Sequence, residues 1–148
     1  MTGIVILCAG KLKEQFYRDG VKEYEKRLGR YVKLFITEVQ DGPDMDHEAE
    51  RMLPKLKEDD FVITLEIGGE ALDSEGFAEL ISKLRSTVKS RVVFVIGGSE
   101  GLHPDILKRS DMRLSFSRMT FPHNLMRVIL LEQIYRAYRI INNEPYHK

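Results

Sequence analysis

VVFVIGGSEGLHPDILKRSDMRLSFSRMTFPHNLMR, residues 92–127, is the stretch that decides the fold. Residues 92–96 are all β-branched or aromatic, which predicts a buried strand. The GGSEG sequence that follows contains three glycines, which permit tight backbone turns and close approach of a ligand. After a short helical interval, residues 112–116 predict another strand. That strand leads into the loop 117–123, in which Pro122 predicts the start of a long helix.

Two strands that each end in a glycine-rich or polar loop are typical of α/β proteins, which build their sites at the carboxyl edge of a parallel sheet. A GGxxG segment alone is equally compatible with an ordinary β–α turn. The second loop, within LSFSRMTFPHNLMR, favours a functional site because its mixture of polar, basic and apolar residues is not explained by packing.

The rest of the chain continues the alternation of strands and helices. Further strands are predicted over residues 3–9, 33–39 and 61–67, and helices over 11–28, 46–57, 75–85 and 122–142. In the first helix the apolar positions Phe16, Val21, Tyr24 and Leu28 are expected to face inward. Pro54 is expected to shorten the second helix, and Asp73 with Ser74 to cap the third. The alternation predicts an α/β fold with a mainly parallel sheet of about five strands.

Length and composition predict a single globular domain over residues 1–148, because 43% of the residues are hydrophobic. The sequence contains no apolar run long enough to span a membrane and no basic region ahead of its N-terminal apolar patch. Cys8, the lone cysteine, is expected to be a small core residue. The four scattered histidines do not predict a metal site. We therefore expect a cytoplasmic protein with no metal and no membrane partner.

The formal net charge is zero, but the charges are unevenly distributed. Residues 11–33 and 103–148 each carry eight Lys or Arg against four Asp or Glu, whereas residues 34–102 carry seven against fifteen. A local basic face matters more than the total for phosphate attraction, because salt screens distant charges. From charge alone, solvated helix faces and a solubilising acidic middle are the simpler interpretation.

The final helix carries apolar residues over more than half of its circumference. A helix that covers one face of a sheet needs an apolar stripe of only about 100°. The surplus apolar surface predicts a homodimer, since a second subunit is the simplest way to bury it.

Motifs along the whole chain resemble the RlmH (YbeA) family, small SPOUT-class methyltransferases that act on large-subunit ribosomal RNA. The motifs are ILCAGKLKEQF, YEKRLGRY, VITLEIGGEALDSEGFA, IGGSEGLH, LSFSRMTFPHNLMR, LEQIYRAYRI and the terminal EPYHK, of which LSFSRMTFPH and EPYHK are the most specific. The resemblance implies a SPOUT-type three-layer α/β sandwich with a C-terminal trefoil knot, an exception to unknotted topology. It also implies a homodimer and a cofactor pocket where the loops after residues 67, 96 and 116 converge.

The cofactor implied by the resemblance is S-adenosyl-L-methionine. Its implied contacts are Leu65, Gly97, Phe116, Ser117, Arg118, Met119, Thr120 and Phe121. The sign of the local charge agrees, because GGSEG offers Glu100 where a phosphate-binding loop would carry a lysine. A carboxylate there would repel a pyrophosphate and tolerate a cationic sulfonium. Without the motif, Leu65 would be an ordinary core leucine of a strand.

The implied reaction is methylation of N3 of a pseudouridine in 23S ribosomal RNA, on the assembled ribosome. That imide nitrogen must lose a proton, so a base or an electrostatic stabiliser of the anion is needed. The candidates are His123, Glu100 and His147. His123 is predicted at a helix N-terminus, where the dipole favours a neutral imidazole. A purely structural hydrogen bond to the loop is an equal alternative for His123.

The residues implied to contact RNA are Arg118, Arg127, Arg136, Arg139, Tyr146, His147 and Lys148. Arg136 has a structural alternative, because it follows Glu132 by four residues and can form a helical ion pair. The chain terminus could equally be a frayed tail, although its aromatic, imidazole and ammonium groups suit base stacking and phosphate contact. The competing function is a non-catalytic α/β RNA-binding module, which would be expected to lose LSFSRMTFPH or EPYHK.

Overall fold

A computed structural model, which describes residues 1–147, shows a three-layer α/β architecture. In chain order the elements are β1 (Gly3–Ala9), α1 (Gln15–Leu28), β2 (Leu34–Val39), α2 (Met45–Met52), β3 (Phe61–Ala71), α3 (Ser74–Thr87), β4 (Arg91–Ile96), α4 (Pro104–Arg109), β5 (Met112–Ser115) and α5 (His123–Ile141). A 3₁₀ turn, Leu53–Lys55, follows α2 and contains Pro54, which confirms that this proline shortens the helix. Asp73 caps α3 by accepting the N–H of Gly76, also as predicted.

The five strands form one parallel sheet in the order β2-β1-β4-β3-β5. Strands β1 and β4 lie inside the sheet and are apolar on both faces, as expected for a parallel sheet covered by helices on either side. One core joins α1, α3 and α5 to one face of the sheet. A second, smaller core joins α2 and α4 to the other face. The predicted parallel α/β sheet of five strands is therefore confirmed.

The inward-facing assignment of Phe16 is wrong. Helix α1 begins at Gln15 rather than at Lys11, and its first buried residue is Val21. The first turn of α1 therefore does not pack against the core, and Phe16 is 66% exposed. Its ring lies against Tyr17, with 4.2 Å between the ring centroids.

Strand β3 is longer than predicted, because Gly68 and Gly69 do not end it. Its pairing with β5 shifts in register between Leu65 and Glu70, so the strand bends at this point. A Cβ atom at Gly69 would lie 2.7 Å from the backbone carbon of Arg113. The glycine permits close approach of the two strands, which no pattern of apolar residues predicts.

Helix α5 lies between α1 and α3, both of which pack against it. Its buried residues are Arg127, Leu130, Leu131, Ile134, Ala137 and Tyr138. The flanking helices thus cover part of the apolar surface that predicted a dimer. Several apolar residues of α5 remain half-buried: Leu125, Met126, Val128, Ile129, Tyr135, Ile140 and Ile141. Within residues 1–147, no helix combines the length and apolar character needed to cross a membrane.

Candidate active site

A cavity of about 1050 Å³ opens at the carboxyl edge of β3, β4 and β5, beside the start of α5. Strands β4 and β5 contribute the loops that follow residues 96 and 116, which meet as expected. Strand β3 contributes residues 65–68, where its pairing with β5 shifts in register, so the expected loop after residue 67 is part of the strand. Parallel strands end on the same edge of a sheet, which is why segments far apart in sequence line one cavity. Its volume is somewhat larger than that of a typical small-molecule site.

Seven of the eight predicted cofactor contacts line this cavity, and Arg118 does not. The seven are Leu65, Gly97, Phe116, Ser117, Met119, Thr120 and Phe121. Met119 is 73% exposed and Ile67 is 52% exposed, so both form apolar parts of the cavity lining that are open to solvent. The cavity therefore offers apolar walls and a segment of loop backbone to a ligand.

The glycine turn is shaped by close backbone contacts. A Cβ atom at Gly97 would lie 2.6 Å from the carbonyl oxygen of Gly101, so position 97 has no room for a side chain. Gly101 adopts a positive φ of 85°, which favours glycine. Its N–H donates to the carbonyl of Gly98 at 3.1 Å. These contacts make a tight turn at the end of β4.

Glu48 of α2 supports the glycine turn from outside, a contact that the sequence did not predict. Its Oε1 accepts the N–H of Gly98 at 3.4 Å. Burial raises the pKa of this carboxyl group, and the N–H of Gly98 partly offsets that increase. In the sequence Glu48 is one acidic residue among several in a charged helix, so only the packing of α2 on the sheet reveals it.

His103, which follows the glycine turn, contacts α2 through Asp46. Its Nε2 lies 2.9 Å from Oδ1 of Asp46, and its Nδ1 accepts the N–H of Asp105 at 3.0 Å, which caps α4. An Nδ1 that accepts a hydrogen bond from an N–H is unprotonated. His103 is thus a structural residue that joins α2 to α4.

Hydroxyl groups fix the loop after β5. Ser115 donates to the carbonyl of Ser117 at 3.1 Å, and the Oγ of Ser117 accepts the N–H of Met119 at 2.9 Å. The ring of Phe116 packs edge-on against Phe77, with centroids 5.8 Å apart. The loop is therefore anchored at its base, while Met119 extends from it into solvent.

The three catalytic candidates do not all lie at the same place in the structure. His123 and Glu100 line the cavity, whereas His147 does not. The Nδ1 of His147 lies 3.2 Å from Nη1 of Arg136, and its Nε2 lies 3.7 Å from Glu75. Within one chain, His147 is held against α5 and the start of α3.

The prediction that Arg127 faces RNA is wrong. Its side chain is 1% exposed, and its Nη1 donates to Oε2 of Glu38 at 2.6 Å. Its Nη2 donates to the carbonyl of Gly10 at 3.1 Å. A guanidinium enclosed in this way cannot contact a phosphate in solvent, so Arg127 stabilises the junction of α5 with the edge of the sheet.

The other cations and the terminal segment are linked to one another. Arg136 forms the helical ion pair with Glu132 at 2.8 Å, and its guanidinium lies 4.8 Å from the ring centroid of Tyr146. The hydroxyl of Tyr146 donates to Glu132 at 2.7 Å. The segment up to His147 is therefore folded back onto α5 and is not frayed.

Arg139 is held in a second group of contacts near the end of α5. Its Nη1 lies 2.8 Å from Oε2 of Glu144 and also donates to the hydroxyl of Tyr31 at 3.1 Å. Arg118 differs from these cations because it is exposed on the loop beside the cavity. Lys148 lies outside the described residues.

The charged residues that line the cavity are Glu66, Glu100 and the titratable His123, and no Lys or Arg is among the described residues of the lining. A cavity with this lining favours a ligand that carries positive charge. In residues 1–147, no cluster of three or more His, Cys, Asp or Glu side chains is arranged to hold a metal ion.

A parallel sheet with a glycine turn and a cavity at its carboxyl edge is the arrangement in which α/β proteins commonly bind small molecules. The family model described as "Predicted SPOUT methyltransferase" matches residues 2–147. The chain belongs to this family.

Comparison with individual proteins agrees with that assignment. The chain is 53% identical to a protein of Methanococcus maripaludis named "Putative ribosomal RNA large subunit methyltransferase H", over 98% of this chain and 99% of that protein. A probable methylase family protein from Haemophilus influenzae has a similar fold, with a TM-score of 0.59 and 11% identity over 98% of this chain and 70% of that one.

A second similar structure was solved with a ligand in place. It is the SpoU methyltransferase AviRb from Streptomyces viridochromogenes, in complex with the cofactor AdoMet. Its TM-score is 0.51 at 11% identity, over 94% of this chain and 58% of that chain. At this identity the likeness concerns the fold, which is of the SPOUT type.

Proposed function

We propose that this chain is an S-adenosylmethionine-dependent methyltransferase that modifies N3 of a pseudouridine in 23S ribosomal RNA, on the assembled ribosome in the cytoplasm. The observation that carries the proposal is the cavity at the carboxyl edge, which seven of the eight expected cofactor contacts line. Membership of the SPOUT methyltransferase family supports the reaction class. The name of the Methanococcus relative supports large-subunit ribosomal RNA as the substrate.

The residues of the cavity fit S-adenosylmethionine. Leu65, Phe116 and Met119 provide apolar walls for an adenine ring. Gly97 permits the tight turn that lines the cavity, and the loop 117–121 offers its backbone groups to the adenine edge. The lining also suits the cation, since it carries carboxylates and no Lys or Arg within the described residues. When bound, the cofactor supplies an electrophilic methyl group.

The protein's part in the chemistry is alignment and proton removal. The target N3 is a weakly acidic imide nitrogen, and its proton must leave before or during methylation. We assign that proton to the imidazole of His123, which lines the cavity at the N-terminus of α5. Glu100 is the second candidate in the cavity, either as a base or as a charge that orients the imidazole.

The proposed enzyme is a homodimer that binds RNA. The half-buried apolar residues of α5 support a second subunit, although α1 and α3 cover part of that helix. His147 and Tyr146 lie away from the cavity of their own chain, so we propose that the terminal segment acts at the site of the partner subunit. Arg118 is the cation best placed to meet RNA at the cavity.

The deciding experiment is transfer of a radiolabelled methyl group from S-adenosylmethionine to ribosomes from a strain that lacks this enzyme. Nuclease digestion and mass spectrometry then map the product. Label on a single pseudouridine of the large-subunit RNA would establish cofactor, substrate and position together.

The other outcomes separate the parts of the proposal. Cofactor binding without transfer would show that the substrate is wrong. Neither binding nor transfer would favour the non-catalytic RNA-binding module instead. Light scattering tests the dimer independently, and a monomer at micromolar concentration would remove that part of the proposal.

A further inference from the structure

Glu66 is a carboxylate of the cavity with an unused acceptor atom. It follows Leu65 in β3, where the register with β5 begins to shift, and it lines the cavity. Its Oε2 is inaccessible to solvent and has no hydrogen-bond partner within the described residues. No hydrogen-bond donor of the described residues therefore neutralises this oxygen, and the negative charge of Glu66 acts on whatever ligand occupies the cavity.

The surroundings of Glu66, whose side chain is 32% exposed, compensate its charge only in part. The nearest cation is Arg113, whose Nε lies 3.8 Å from Oε2, beyond hydrogen-bond distance. The Arg113 side chain is 50% exposed, so water weakens its attraction for the carboxylate. Glu100 adds a second negative charge to the same lining. The two carboxylates therefore favour a positively charged ligand over a neutral ligand of the same shape.

We infer that Glu66 makes ligand binding depend on the positive charge at the reacting centre, so that the methyl donor is held more tightly than the spent product. This inference rests on the proposed function. S-Adenosylmethionine carries a sulfonium, an ammonium and a carboxylate, and its net charge is positive. S-Adenosylhomocysteine keeps only the ammonium and the carboxylate and is neutral overall. The carboxylate of Glu66 distinguishes the two by the sulfonium alone.

Such a preference would favour turnover. After methyl transfer the ligand in the cavity has lost the charge that Glu66 attracts, so the product dissociates more readily than the donor. A positively charged group at this position would have the opposite effect. Two unit charges about 10 Å apart at an effective dielectric constant of about 20 give roughly a tenfold preference.

The test measures dissociation constants by calorimetry for three ligands. They are S-adenosylmethionine, S-adenosylhomocysteine and sinefungin, which carries a protonated amine in place of the sulfonium and is therefore also positive. The variant is Glu66→Gln, which keeps size and polarity. Glu70→Gln is the matched control, because Glu70 is exposed on the same strand and does not line the cavity. Arg113→Gln tests the ion pair.

The inference expects Glu66→Gln to weaken the two cationic ligands about tenfold and S-adenosylhomocysteine less than twofold. Glu70→Gln is expected to change none of the three, and Arg113→Gln to leave the binding of cationic ligands unchanged or tighter. Thermal unfolding of each variant confirms that it is folded.

Three results would overturn the inference. Equal weakening of all three ligands would place Glu66 on a ribose or amino-acid group that they share. The same loss in Arg113→Gln would mean that Glu66 acts only by holding that arginine. Unchanged binding with lost methyl transfer would place it on the target nucleotide. If the wild-type chain binds none of the ligands, the proposed function fails first and the inference with it.

Discussion

Nη1 of Arg127 donates to Oε2 of Glu38 at 2.6 Å, and this contact joins the first half of α5 to strand β2 at the edge of the sheet. The two ends of the pair differ in their access to water, since the Arg127 side chain is 1% exposed and that of Glu38 is 34% exposed. The guanidinium therefore depends on its protein partners, whereas the carboxylate can also be hydrated.

This asymmetry predicts unequal costs for removing each partner. Glu38→Ala leaves a buried cation without its anion, and we expect a loss of about 3 kcal/mol in the free energy of unfolding. Arg127→Met leaves a carboxylate that can turn to water and keeps most of the packing volume, so we expect a loss of only about 1 kcal/mol. Urea unfolding of both variants and of the double variant measures the difference.

The double variant supplies the control for the pair. If the interaction is as described, Glu38→Ala should cost much less when Arg127 is already Met. Additive losses would contradict the pair. If the Arg127→Met variant were as stable as the wild type but bound RNA more weakly, Arg127 would contact RNA after all.

Adjacent glycines of the turn are expected to respond differently to alanine. At Gly97 a Cβ would meet the backbone oxygen of Gly101 at 2.6 Å, and backbone cannot move aside cheaply. At Gly98 the Cβ would meet the carboxylate of Glu48, also at 2.6 Å, but that group ends a flexible side chain. We expect Gly97→Ala to cost about 2 kcal/mol in the free energy of unfolding and Gly98→Ala less than about 1 kcal/mol.

Cofactor binding provides a second measurement on the same pair of variants. Gly97→Ala should abolish measurable binding because it displaces the turn. Gly98→Ala should weaken binding severalfold, since it loses the support of Glu48. Equal effects on stability and binding would show that the turn is not rigid at Gly97.

Much of the fold was predictable because parallel sheets place apolar residues on both faces. The apolar, largely β-branched runs at β1 and β4 predicted buried strands, and both are buried strands. The longer course of β3 was not predictable, because its glycines serve a close approach to β5 that is visible only in three dimensions. Phe16 was misassigned because helical periodicity shows which side of a helix faces the core. It does not show whether the core reaches the first turn of that helix.

The site was predictable only where motifs mark it. LSFSRMTFPH and IGGSEG led to the residues that line the cavity. Two carboxylates were missed: Glu48, which accepts the N–H of Gly98, and Glu66, which lines the cavity. An acidic residue in a charged helix or inside a strand has no distinctive neighbours in sequence. Arg127 was misassigned because it lies in a motif, four residues after His123, where an arginine is expected to face the substrate. Its partner Glu38 is far away in sequence, and only the structure shows the pair.

Cys8 predicts a specific pH dependence of stability. Burial raises the pKa of its thiol from the usual 9.0 to about 11, an increase that Arg127 partly offsets and Glu38 reinforces. The native state thus keeps its proton where the unfolded chain has lost it. This contribution to stability is complete below pH 9 and is lost as the pH rises through about 11.

The measurement compares the wild type with Cys8→Ala between pH 8 and 11.5. The free energy of unfolding of the wild type should fall by about 2 kcal/mol more than that of the variant across this range. The comparison removes the contribution of tyrosine ionisation, which both proteins share. Parallel curves for the two proteins would show that the thiol does not ionise later in the native state.

Arg118 predicts a separation of RNA binding from cofactor binding. It is exposed on the loop beside the cavity but does not line it. A cation that contacts a phosphate adds about 0.9 to the slope of log affinity against log salt concentration for a double helix and about 0.7 for a single strand. We therefore expect Arg118→Ala to weaken ribosome binding about tenfold, to lower that slope by roughly one and to leave cofactor affinity unchanged.

Arg139→Ala is the comparison that makes the result specific. Arg139 is held by Glu144 and Tyr31, so its removal should lower stability and disturb the terminal segment. Its effect on ribosome binding should be accompanied by a lower midpoint of unfolding, whereas Arg118→Ala should change binding at unchanged stability. Equal losses of ribosome and cofactor binding in Arg118→Ala would count against an RNA contact, because they would indicate a displaced loop.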